Sequence, residues 1–145
     1  MSNFDIKSLA IASTGTMPIR DVDGEIQYND KGEELSITFH SPGTREFAQA
    51  KHEHEEKLGA RLLKMQGGKG EKSDPDQDLK SIATFLAKVT VSLNGFKYDG
   101  GPKALYEDRE LGHITEAANK FLGERGNFKR KSGNDSSNTS ATLPG

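Results

Sequence analysis

Cysteine is absent from this 145-residue chain. That one gap excludes disulfide staples, zinc–thiolate centres and thiol catalysis together. Long apolar runs are missing as well. Near the N-terminus only Leu9-Ala10-Ile11-Ala12 stands out, and a membrane span needs about 20 such residues. The run is also too short, with Asp5 too close before it, for a signal peptide. An excess of positive charge is lacking: 20 Lys and Arg face 22 Asp and Glu, for a net charge of −2. A broad electrostatic footprint for nucleic acid is therefore not expected. Hydrophobic residues make up 32% and charged residues 29%, which predicts one domain with a small core and polar flanking segments.

Catalytic spacing is missing too. No serine, histidine and carboxylate fall in a nucleophile motif. Gly67-Gly68-Lys69-Gly70 with Lys72-Ser73 lacks the Gly-Lys-Ser/Thr run of a phosphate loop, and no apolar strand leads into it. Asp21-Val22-Asp23-Gly24-Glu25 lacks calcium-loop spacing and reads as a turn. His52 and Glu56 share a helix face at i, i+4, but His54 points elsewhere and no third ligand follows. These residues read as a solvated charged face. Lys129-Arg130-Lys131 reads as part of a polar tail. The chain is expected not to be an enzyme and to need no cofactor or metal.

What is present is a pattern of apolar positions. Leu35, Ile37 and Phe39 alternate along Leu35–His40, the clearest strand in the chain. Met17–Arg20 and Glu25–Tyr28, separated by the Asp23-Gly24 turn, complete a small antiparallel sheet over residues 16–40. Ser41 and Thr44 are good N-caps for a helix over 44–66, with apolar positions Phe47, Leu58, Leu62 and Met65 and a middle that is nearly all charged. Residues 67–77 read as a mobile linker, which ends in a helix start: Asp74 caps, Pro75 takes the first position and Gln77 can reach back. From there Leu79, Ile82, Leu86, Val89 and Leu93 recur at steps of three and four, predicting a helix over 75–93, whose end at the weak helix formers Thr90, Val91 and Ser92 frays or turns extended. Residues 102–106 form a short helix or turn. Asp108 caps a last helix over 109–123 carrying Leu111, Ile114, Ala118 and Phe121. Residues 129–145 are polar and read as disordered. The expected fold is α+β: a small antiparallel N-terminal sheet packed with three main helices in one domain over 1–128, followed by a disordered tail.

The segment Val89–Gly100 (VTVSLNGFKYDG), the run Tyr106–Gly112 (YEDRELG) and the run Lys120–Phe128 (KFLGERGNF) resemble a group of tailed-bacteriophage tail assembly chaperones. So do STGTMPIRD and ITFHSPGTREFAQAK at the front, and the likeness spans most of residues 8–128. It rests on apolar and turn positions, not on a catalytic motif. The resemblance implies a factor in the host bacterial cytoplasm that binds the long tape-measure protein during tail assembly and then leaves. It also implies two further partners, a frameshift-extended form of the chain and the tail-tube protein, with no nucleic acid or membrane. Leu79, Ile82, Leu86, Ile114 and Phe121 would bind either one another or the client. A minor structural protein of the tail or head–tail junction is the alternative.

Overall fold

A computed structural model describes residues 4–66 and 74–130, apart from the side chain of Met65. The fold is α+β, with a three-stranded antiparallel sheet in the order β1-β2-β3. Strand β1 is Thr14–Pro18, β2 is Ser36–His40 and β3 is Thr90–Asn94. Helix α1 is Arg45–Gln66, α2 Pro75–Val89, α3 Gly101–Glu107 and α4 Gly112–Leu122.

β2 is central because it alternates most strictly. Its register sets Met17 opposite Ile37 and Gly15 opposite Phe39. Ile37 and Phe39 are fully buried. The opposite face is a polar ladder: Thr16 and Thr38 hydroxyls lie 3.0 Å apart, and the Asn94 amide donates to Thr38 Oγ1 at 2.9 Å and Ser36 Oγ at 3.1 Å. Ser92 Oγ donates to Asn94 Oδ1 at 2.8 Å, so the side chains of this ladder pair with one another. The sheet therefore has one apolar side, and the helices cover it.

Two expected boundaries change. The third strand is not Glu25–Tyr28. That stretch makes only the isolated bridges Arg20 with Ile26 and Tyr28 with Glu34. Asp21 and Asn29 each accept two backbone N–H bonds across their turns, so tight side-chain-capped turns take up the residues a strand would need. The third strand comes instead from 90–94, where a helix running to 93 was expected. Val89 ends the helix and Thr90 is extended, at φ −83° and ψ 125°. Thr90 and Val91 are β-branched and favour the extended form. The Thr90 hydroxyl holds the switch by bonding Leu86 O at 2.8 Å and Tyr106 Oη at 2.7 Å.

The other ends follow the caps. Thr44 Oγ1 accepts from Phe47 N at 3.2 Å, and Asp74 Oδ1 accepts from Asp76 N at 3.0 Å with Pro75 at the first turn. Asp108 caps a 3-10 turn, Arg109–Leu111, before α4 begins at Gly112. The C-terminal 3-10 turn Arg125–Phe128 lies along β1. Its Phe128 is 1% exposed, and a Cβ on Gly15 would lie 2.5 Å from that ring. Only glycine admits the ring here. The expected tail begins after this point, and residues 131–145 lie outside the described residues, as does 67–73 of the expected linker.

Candidate partner-binding surface

α2 supplies the core with Ala83, Phe85, Leu86 and Val89, and α4 adds Ile114, Ala118 and Leu122. α1 lies beside α2 and runs antiparallel to it. Glu53 pairs with Lys88, His54 stacks on Phe85 with centroids 5.4 Å apart, and Arg61 meets Asp78 at 2.9 Å. Each step along α1 is thus matched by a step back along α2. Among the described side chains of α1 only Ala50 is buried.

This packing apportions the five expected client residues. Leu86 is fully buried and Ile114 is 8% exposed, so both belong to the core. Phe121 is half-buried, with its ring 5.9 Å from Phe39 and 5.2 Å from Phe128. Ile82 and Leu79 are half-buried on α2. On α1 Leu58 is 37%, Leu62 58% and Leu63 71% exposed; Phe4, Ile6 and Leu9 before β1, Val22 and Tyr28 between β1 and β2, and Val91 in β3 are also exposed. Leu58 and Leu62 are four residues apart and share a helix face. The sequence signal was present, since Leu58, Leu62 and Met65 recur at steps of four and three after the charged run.

Leu58 opens onto a groove of about 480 Å³ between α1, α2 and the end of α4. Phe47, Leu58, Ile82, Phe85 and Leu122 form its apolar lining, and Pro42 lies at its margin. Lys51, Glu55, His54, Asn119 and Arg125 supply its polar edge. The antiparallel register sets Leu62 at the level of Leu79, so apolar surface continues past the groove along both helices. A second groove of about 460 Å³ runs between β1, the Asp21–Gly24 turn and α4. Met17, Ile19, Ile114 and Phe121 line it, with Val22 exposed at its lip.

On the other side of the His54–Phe85 stack lies a smaller cleft of about 220 Å³, lined by Lys57, Lys80, Lys88 and Lys103 with Glu53. Lys88 engages Glu53, and this pulls the Glu53 carboxyl below its ordinary value. Partial burial holds His54 below the ordinary imidazole value. Elsewhere the shifted groups are structural. Burial pushes the Tyr106 hydroxyl up to about 12, and the Asp108 carboxylate that accepts from Tyr98 raises that phenol.

His52 and Glu56 face each other at 3.6 Å, both well exposed. Among the described residues no three His, Asp or Glu side chains converge as a metal site, and no helix is long and apolar enough to cross a membrane. The surface can therefore present apolar area framed by charge. No protein-family model, curated protein or solved structure matches the chain.

Proposed function

We propose that the chain is a tail assembly chaperone, which binds the long helical tape-measure protein and keeps it in solution until the tail tube encloses it. The observation that carries this reading is the leucine face of α1. Leu58 opens onto an apolar groove and Leu62, four residues on, is exposed on the same face, on a helix that gives the core little. An apolar helix face of this kind suits capture of another helix by its apolar stripe. The resemblance of Val89–Gly100, Tyr106–Gly112 and Lys120–Phe128 to tail assembly chaperones supplies the client. Leu79 and Ile82 border the same surface and extend it, whereas Phe121 lies at the second groove. The work asked of the protein is burial and release, with no bond made or broken. It acts in the host cytoplasm, where the tape-measure protein is made.

Co-expression with a long tape-measure protein tests the reading. The client is expected to become soluble and to co-purify with this chain in moderate and in high salt, because apolar burial is not screened. An insoluble, unbound client, together with this chain in stoichiometric amounts in finished virions, would replace the chaperone with a structural subunit of the tail or head–tail junction.

A further inference from the structure

We infer that the groove between α1, α2 and the end of α4 selects an amphipathic helix whose apolar stripe is flanked by carboxylates. The inference rests on the client reading above and names the part of the client that is recognised. The groove is bounded by helices and offers no strand edge to pair with, which suits an α-helix, whose backbone bonds are internal. Its lining is apolar. At its edge stand two cations, Lys51 and Arg125, against one carboxylate, Glu55. Both cations are exposed, and neither forms an ion pair among the described residues.

This positive edge occurs on a chain whose net charge is −2. Residues 67–73 and 131–145 carry one large apolar side chain between them, Leu143. Apolar contact supplies the affinity. The two cations choose among helices with similar stripes, because complementary edge charge sets specificity more than strength.

The test uses the full chain and two labelled synthetic helices of about 18 residues, five turns each. They share one leucine stripe and differ in their flanks, glutamate in one and lysine in the other. Fluorescence anisotropy at low ionic strength should give the glutamate-flanked helix a Kd about three- to tenfold lower, the range expected of two exposed pairs. The ratio should shrink towards one in high salt. Lys51→Glu with Arg125→Glu should reverse the preference, and the milder Lys51→Gln with Arg125→Gln should abolish it should the first pair of changes impair folding.

Equal affinities, a preference unchanged in these variants, or failure of both helices to bind would overturn the assignment. So would a dimer of this chain that buries the groove, seen by sedimentation velocity. The client experiment separates the two levels. If the parent chain solubilises its client and the Lys51→Glu, Arg125→Glu variant does so equally well, the charge selection fails and the chaperone reading stands. If the parent chain does not solubilise the client, the chaperone reading itself fails.

Discussion

α1 and α2 lie side by side and are built for different ends. α2 has 15 residues and buries Ala83, Phe85, Leu86 and Val89. α1 has 22 residues, about 33 Å of helix, and among its described side chains buries only Ala50. Each fully buried large apolar side chain contributes about 1.5–3 kcal/mol, so α2 is tied to the sheet far more strongly than α1. α1 is held by its Thr44 cap, by the Phe47 and Phe85 rings 5.6 Å apart, and by edge pairs such as Arg61 with Asp78. Exposed pairs of that kind are worth about 0.2–1 kcal/mol each. Two neighbouring helices can thus divide the labour, one forming the core and the other displaying surface.

The sharpest way to break the comparison is to charge the core helix. Leu86→Asp places a carboxylate at a fully buried position with no partner, and should cost at least about 4 kcal/mol. That is a large share of the 5–15 kcal/mol typical of a domain. Urea unfolding checks it. A variant that melts like the parent would remove α2 from the core.

The C-terminal boundary should show the next largest effect. Phe128 is 1% exposed, and its ring packs edge-on to Phe121 and against Gly15. Phe128→Ala should cost about 3–5 kcal/mol. A chain ending at Lys129 should instead stay within about 0.5 kcal/mol of the parent. It keeps the Ile11–Lys129 bridge and the bond from Ala12 N to Phe128 O. The residues removed carry one large apolar side chain, Leu143. Calorimetry of the two proteins decides whether the body ends at Phe128. An equal loss in both would extend the body into residues 130–145.

Much of this fold was legible in sequence, for reasons that particular residues make plain. Ile37 and Phe39 alternate, Asp74-Pro75 starts a helix, and Thr44 follows a Ser-Pro-Gly break; each is a local signal that the tertiary structure keeps. The switch at Thr90 was only partly legible: Thr90, Val91 and Ser92 are weak helix formers, so an end that frays or turns extended was open, but nothing fixed a strand there. Leu93 continues the stripe from Val89 at i+4, and in β3 it also faces the core opposite Ile37, so one apolar residue satisfies both periods. Nor could the stripe divide Leu86 from Ile82, or Ile114 from Phe121. Helical spacing ranks each pair as equals, and only the position of the sheet and of α1 decides which side chain is sealed. The exposure on α1 was hidden for the same reason: Leu58, Leu62 and Met65 have the spacing of a core stripe, and only the place of α1 beside α2 leaves Leu58 and Leu62 open.

A smaller effect on folding tests display directly. Leu62→Asp lies on the exposed face of α1, at 58% exposure. It should change stability by no more than about 0.5 kcal/mol while weakening solubilisation of the client. Thermal melting and the soluble fraction of co-expressed client are the two readouts. A stability loss comparable to that of Leu86→Asp would mean that α1 is core after all. An unchanged soluble fraction would remove Leu62 from the binding surface.

The smallest effect expected is one of pH, at the contact between the two helices. His54 on α1 stacks against Phe85 on α2. Partial burial is the main cause that holds its imidazole below 6.5; Glu55 pulls it up and Lys57 pushes it down. In the unfolded chain His54 takes up its proton near 6.5, while the folded protein resists protonation until the pH is lower. Between those points the unfolded state binds more protons, so acidification favours unfolding. The contribution from His54 is complete above about 6.5 and is lost as pH falls through its folded value. Much of the ring is in contact with water, so the slope should be shallow. His54→Gln should flatten the melting profile across that window and leave it unchanged above. NMR titration of the His54 ring reads the same quantity at the residue. A midpoint at or above 6.5 would show that the α1–α2 contact does not desolvate the ring, and that α1 is held still more loosely than its stacking on Phe85 implies.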